Sequence, residues 1–363
     1  MEEVDVVVVG AGAMGSATAR ALTSAGRSVA VLEQFPRGHD RGSSHGAARI
    51  VRLAYDDPFY VRLAQQAMRD WSEVEAECGR SLVNVTGGVD HGDPATLAQI
   101  ESALTECAAT VERLNADAAT ERWPGLRFDG EVISQPDAGR VDAGTAVSAL
   151  QDLATSGGAA MRFECAVERV EVDTSGVVVH AEGASWRAPV AVVTAGAWVG
   201  ELLGDMVALP PLRVTQEQPA FFAALDEATP WPSFIHHHRE RPGHYGLASP
   251  GEGVKVGHHG TGVPVHPDRR DRAPDSRRLE ELRAYVAEWL PGVDPEEVGV
   301  QTCLYMTTPD EDFLVDRVGP LVIGSPCSGH GFKFTPTLGR LLARLALGET
   351  AAPDRFQVGR FAP

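Results

Sequence analysis

The stretch "VGVQTCLYMTTPDEDFLVD" sets a lone thiol, Cys303, two residues before Tyr305 in a strand-like run that leads into an acidic turn. Residues i and i+2 of a strand share a face, so thiol and phenol are expected to look the same way. Such a thiol could be small apolar filler, a metal ligand, half of a disulfide or a point of covalent attachment. "VKVGHHG" puts Lys255, Gly257 and His259 at the same period of two, with His258 on the opposite face. "HGAARIVR" places His45, Arg49 and Arg52 at i, i+4 and i+7, one face if the segment is helical. Taken alone, that pattern favours a solvated basic helix face. "CSGHGFKF" sets Gly329 and Gly331 before Lys333, a loop whose backbone N–H groups could approach a ligand closely. "FIHHHRER", with His236, His237 and His238, invites a metal reading. Consecutive strand residues cannot all face one ion, and no acid or cysteine stands at ligand spacing, so it is read as a polar or pocket-rim segment and no metal is expected.

The N-terminus carries the most specific pattern. In "VDVVVVGAGAMGSATARALTSAGRSVAVLEQ", Val6 to Val9 read as a buried parallel strand. Gly10 and Gly12 make a tight turn, Gly15 opens a helix of small residues, and "SVAVLE" is a second strand ending in Glu33. Glycines let the backbone approach a pyrophosphate, a helix N-terminus favours its charge, and an acid after the second strand can hold ribose hydroxyls. Glu33 argues against a 2′-phosphate, leaving FAD and NAD.

Amphipathic helices are expected over 60–78 and 96–114, a strand pair over 166–180, and strand, glycine turn and helix over 186–203. Residues 212–265 read as a separate antiparallel layer, and Asp275 to Leu290 as a helix. "PLVIGSPCSGHGFKFTPTLGRLLARLAL" gives a strand, a glycine-rich loop and a closing helix. The nucleotide-binding sheet is thus revisited in the middle and at the end, unlike a simple NAD dehydrogenase. The expected class is α/β (α+β overall): a Rossmann-like domain of residues 1–82, 140–212 and 304–363 interleaved with an antiparallel-sheet domain of 83–139 and 213–303.

Apolar residues make up 43% and charged residues 23%, values of a globular protein. A net charge of −18 with no basic run disfavours nucleic acid or an anionic membrane as partner. Five scattered cysteines without a CxxC suggest neither a disulfide framework nor zinc, which leaves filler or attachment for Cys303. With no leader or spanning run, a cytoplasmic protein is expected.

Several of these pieces together resemble the monomeric sarcosine oxidase and N-methyltryptophan oxidase group of FAD-dependent amine oxidases, in the D-amino-acid oxidase-like superfamily. The carriers are "VVVVGAGAMG", "GSSHGAARIVRLAY", "RWPG", "TAGAW", "VKVGHH", "CLYMTTPDEDFLVD" and "CSGHGFKF", in family order over essentially the whole chain. The resemblance implies FAD joined through Cys303 to its 8α carbon, with Tyr305 beside it. It implies cofactor contacts from Gly10, Gly12, Gly15, Glu33, Ser43, His45, Arg49, Val167, Gly196, Trp198, Gly329, Gly331 and Lys333. It gives Arg52 and Lys333 the substrate carboxylate, Lys255 oxygen activation, and His259 and Tyr245 the substrate side. Where relatives often have Asp-Thr, this chain has Ala47-Ala48, which removes a polar contact near the flavin; His258 stands where Tyr is common. The implied function is an oxidase of secondary amino acids such as sarcosine, using O₂ and releasing hydrogen peroxide, as a monomer. A cyclic imino acid oxidase of secondary metabolism, or an amine dehydrogenase with another acceptor, is the alternative.

Overall fold

The computed structural model describes residues 1–240 and 242–361. Its central sheet has six strands in the order Ala160–Arg162, Val29–Leu32, Val6–Val9, Val190–Val193, Leu321–Ser325 and Leu314–Val318. All neighbours pair in parallel except the last two, which are antiparallel. The strand Val6–Val9 is buried along its length. Val6 and Val8 join a cluster with Leu22, Leu338 and Leu342 of the covering helices, while Val7 and Val9 pack toward Val177, Val179 and Trp186. Both faces are therefore covered, which is why the run is apolar at every position rather than at alternate ones.

The helices Ala13–Ser24, Ala143–Ser156 and Thr335–Ala346 lie together on one face. Their approach is close: a Cβ on Gly339 would lie 2.4 Å from the Ala17 Cβ. On the other face sits an antiparallel meander of Val167–Asp173, Gly176–Ala181 and Ala184–Ala188.

A second, eight-stranded sheet runs Val293–Val300, Ala220–Ala224, Gly253–His258, His244–Ser249, Ser233–His237, Gly88–Gly92, Val132–Gln135 and Glu112–Leu114. It is antiparallel apart from Ser233–His237 against Gly88–Gly92. The helix Ser276–Trp289, capped by Asp275, buries Leu282, Tyr285 and Val286 in the core of this layer. Among the described residues no helix is long and apolar enough to cross a membrane.

Three local expectations are corrected. The helix expected over 96–114 is Pro94–Glu106; Ala108 takes φ +52° and Glu112–Leu114 becomes an edge strand. The segment from His45 to Arg52 is not helical: Gly46 sits at φ +102° and Arg49–Val51 pairs with Gly139–Val141. A left-handed glycine interrupts a helix, so the i, i+4, i+7 face does not exist. The layer expected over 212–265 is split, since Arg213–Glu217 and Val263–Pro264 leave it to form a three-stranded sheet with Cys303–Thr307.

Because Gly339 and Ala17 leave no room for a side chain, Gly339→Val is expected to destabilise the fold by about 1–3 kcal/mol through overpacking. Urea unfolding of the variant at wild-type stability would contradict that.

Candidate active site

Two clefts meet in the centre of the molecule. One, about 580 Å³, is lined by Gly10, Gly12, Glu33, Ser43, His45, Val167, Gly196 and Trp198. The other, about 630 Å³, is lined by Arg49, Arg52, Tyr245, Lys255, His259, Cys303, Tyr305, Gly329, Gly331 and Lys333. They share Gly12, Ser43, Ser44, Thr194 and Gly196, and so form one elongated site. Gly15 lies behind this wall, in the first turn of the helix.

The first cleft is shaped by close backbone approach. A Cβ on Gly15 would lie 1.8 Å from the Gly10 carbonyl oxygen, and one on Gly10, at φ +95°, 2.6 Å from the Thr194 carbonyl oxygen. Gly12, the N-cap of Ala13–Ser24, offers no side-chain cap, and Ser44 Oγ accepts the Ala13 N–H at 3.1 Å. Glu33 closes the turn: its Oε2 accepts from Ala11 N at 2.8 Å and its Oε1 from Phe35 N at 3.1 Å. The carboxylate thus lines the cleft already fixed in place. An open helix N-terminus, a glycine cradle and a held acid fit the pyrophosphate and ribose of FAD. His45 adds a second sign: its Nε2 is buried with no partner among the described residues, and burial, then Arg49, lowers its pKa to about 3. A neutral ring with an unpaired polar atom on the cleft wall suits a bound group that supplies the missing hydrogen bond.

The second cleft is cationic. Arg49 is held by backbone carbonyls alone, donating to Ser43 O at 3.1 Å, His45 O at 2.6 Å and Ala48 O at 3.0 Å. Lys255, 4% exposed, donates to Ala48 O at 3.5 Å; burial, then Arg49, lowers its pKa to about 7. The backbone of Ala48 thus anchors both cations although its side chain is only a methyl. Lys333, 6% exposed, donates to Tyr55 Oη at 2.8 Å and His330 O at 2.7 Å, and burial, then Arg52, pushes its ammonium well below the lysine range. Among the described residues none of these three has a carboxylate partner. Arg52 does: Nη1 donates to Asp90 at 3.2 Å and also to Ala54 O.

Aromatic and thiol groups complete the wall. Cys303 and Tyr305 lie on one strand and both face the cleft; burial raises the thiol pKa, opposed by Arg49 and Lys255. Tyr245 lies across its neighbouring strand, where a Cβ on Gly257 would be 2.6 Å from its ring. Gly329, at φ +75°, has no room for a Cβ beside Tyr305 and His259. Burial, then Arg52, holds His259 near pKa 4, so it is neutral. His258 lines neither cleft; it stacks on His244 with centroids 4.2 Å apart.

Of the three consecutive histidines only His237 reaches the cleft, bonding Asp90 through Nε2 at 2.8 Å. His236 stacks on His91, and His238 Nε2 lies 2.9 Å from His244 Nδ1, so the three do not converge. Arg241, last of that stretch, lies outside the described residues. Sequence reading missed Tyr55, Asp90 and Gln135 as parts of the site, whereas the pocket-rim reading of the histidine run holds for His237. The available signal was Asp90 itself, an acid beside His91 inside the glycine-rich run "GGVDHG".

The chain is similar over nearly its whole length to characterised flavoenzymes. Monomeric sarcosine oxidase of Streptomyces avermitilis is 34% identical, the match covering 99% of this chain and 97% of that protein. N-methyl-L-tryptophan oxidase of Salmonella heidelberg is 30% identical over 98% of this chain and 99% of its own. The solved structure of NikD, described as an unusual amino acid oxidase essential for nikkomycin biosynthesis, superimposes with a TM-score of 0.89 at 28% identity, covering 99% of this chain and 98% of that one. The family model described as DAO, FAD dependent oxidoreductase, matches residues 5–345. The chain belongs to this family, as an FAD-dependent amine oxidoreductase of the sarcosine oxidase and N-methyltryptophan oxidase group.

Proposed function

We propose that the protein is an FAD-dependent oxidase of secondary amino acids, with N-methyl amino acids such as sarcosine as the first class of substrate. The observation that carries this reading is the cationic lining of one cleft, partly buried Arg49 with buried Lys255 and Lys333, none of which has a carboxylate partner among the described residues. Such a cluster suits anions: a substrate carboxylate and the negative charge that reaches oxygen. When bound, the flavin supplies the two-electron oxidation of the amine C–N bond to an imine and the return of those electrons to O₂ as hydrogen peroxide.

In this reading the chain's own residues bind, orient and balance charge. Gly10, Gly12, Gly15, Glu33, Ser43, His45, Val167, Gly196 and Trp198 hold the cofactor, with Gly329 and Gly331 allowing the backbone close to its ring. Cys303 is the point of thioether attachment, beside Tyr305. Arg52 and Lys333 take the substrate carboxylate, Arg52 in the bidentate manner that a guanidinium permits. Neutral His259 and Tyr245 face the substrate without adding a further charge next to its nitrogen. Lys255 provides positive charge for oxygen. Residues 1–82, 140–212 and 304–363 then form the FAD-binding domain, and 83–139 with 213–303 the substrate domain. A monomeric, cytoplasmic enzyme goes with this reading. The second reading of the same cleft is a cyclic imino acid of secondary metabolism, for which the likeness to NikD, an amino acid oxidase of nikkomycin biosynthesis, supports the biosynthetic setting alone; oxygen uptake against a dye-linked assay separates an oxidase from a dehydrogenase.

Arg52→Ala and Lys333→Ala are each expected to raise KM for an amino-acid substrate about 10–100-fold, the scale of a hydrogen bond to a charged group. Unchanged KM in both variants would remove the carboxylate assignment. Lys255 is charged below its pKa of about 7, so the rate of flavin reoxidation by O₂ should fall as pH rises through about 7. Lys255→Met should abolish that dependence while anaerobic reduction persists; equal loss of both half-reactions would mean a structural lysine. After acid denaturation, flavin should stay with the wild-type polypeptide at Cys303 and be released from Cys303→Ser. Free FAD from the wild type would make Cys303 a packing residue.

A further inference from the structure

Asp90 is 1% exposed and accepts three hydrogen bonds. Arg52 Nη1 at 3.2 Å and His237 Nε2 at 2.8 Å both reach its Oδ1, while Gln135 Nε2 reaches Oδ2 at 2.9 Å. Gln135 in turn accepts the Leu53 N–H at 2.9 Å, which ties the arrangement to the chain just beyond Arg52. A carboxylate ringed by donors only accepts, so the Nε2 hydrogen of His237 points at Asp90. In the tautomer that this bond selects, the acceptor lone pair is on Nδ1. His237 lines the cationic cleft beside Ile235, Tyr245 and Leu247, and its side chain is 18% exposed. Among the described residues its Nδ1 has no hydrogen-bond partner. The ring cannot turn to find one without giving up Asp90.

We propose that His237, oriented by Asp90, determines substrate specificity: the enzyme acts on secondary amino acids whose side chain carries a hydrogen-bond donor, a hydroxyl or an N–H. This rests on the oxidase reading above and names the substrate class within it. Arg52 and His237 share one oxygen of Asp90, so the carboxylate anchor and the side-chain reader form a single held unit. An amino acid whose carboxylate sits at Arg52 presents its neighbouring substituents to the adjacent imidazole. Ile235 and Leu247 on the same wall offer no side-chain acceptor in competition. Sarcosine, with no side chain, leaves this acceptor unused. Asp90 acts through Arg52 and His237 and is a positioning residue.

The test uses the holoenzyme and anaerobic flavin bleaching with matched pairs: N-methylserine against N-methylalanine, and N-methyltyrosine against N-methylphenylalanine. In at least one pair the hydroxylated member should be favoured about tenfold or more, the scale of one hydrogen bond, and the difference should sit in substrate Kd rather than in the limiting rate of reduction. His237→Leu should bring that ratio to about one, whatever it does to the absolute rates. It leaves Asp90 its bonds to Arg52 and Gln135, so no orphaned buried carboxylate threatens folding. Asp90→Asn should narrow the ratio and also raise Kd for every member by loosening Arg52. If a variant fails to fold, the wild-type ratios decide alone. Equal wild-type constants within both pairs, or a wild-type ratio retained in His237→Leu, would overturn the side-chain assignment and leave the oxidase reading standing. No bleaching by any member would overturn both.

Discussion

Positive charge drawn into one cleft, with no counter-charge among the described residues, is the constraint around which this molecule is arranged. Arg49, Lys255 and Lys333 meet at one cleft, and backbone carbonyls and a phenol stand where carboxylates would ordinarily be. Burying an unpaired charge is costly, and the depressed pKa values of both lysines express that cost directly. A protein keeps such an arrangement when a ligand completes it. Anionic ligands bound there favour the folded state by mass action, so the fold and its occupants are thermodynamically linked.

Bringing these charges to one cleft takes three separate elements. Arg49 comes from a short strand of a three-stranded sheet, Lys255 from the middle of the eight-stranded sheet, and Lys333 from the turn that opens the last long helix. Trp71, fully buried, donates its indole N–H to the Lys333 carbonyl at 2.8 Å and pins that turn from behind. Each cation thus sits on backbone that is fixed by other pairings, and its aim depends on rigid elements rather than on a mobile loop.

Much of this was legible in the sequence. The strand, glycine turn and helix at the N-terminus are dictated by local sterics, which is why Gly10, Gly12, Gly15 and Glu33 could be named without a structure. The pairing of Cys303 with Tyr305, and of Lys255 with His259, followed from the period of a strand. The segment from His45 to Arg52 misled because its spacing fits a helix, whereas its conformation is imposed by strand pairing with Gly139–Val141, far away in the chain. Asp90 and Gln135, and the tie between them and the pocket-rim His237, escaped for a related reason. They come from three strands brought together only by the parallel pairing of Ser233–His237 with Gly88–Gly92 and the antiparallel neighbour Val132–Gln135. No local pattern encodes that meeting. The family resemblance named the general machinery but could not point to residues particular to this chain.

The order of the central sheet has a consequence for how the chain acquires its shape. Val6–Val9 needs Val190–Val193 as a neighbour, and that strand needs Leu321–Ser325 in turn. Loop closure over such separations is slow, and contacts of this range raise the contact order of the whole protein. During synthesis the first βαβ unit therefore emerges long before its partners. Until they arrive, it carries an apolar strand edge of four valines with nothing beside it. Such an edge is a template for wrong pairing. The nucleotide cleft, walled in part by Thr194 to Leu202, cannot exist before Val190–Val193 has been made, so the exposed edge and the unformed cleft last for the same stretch of translation.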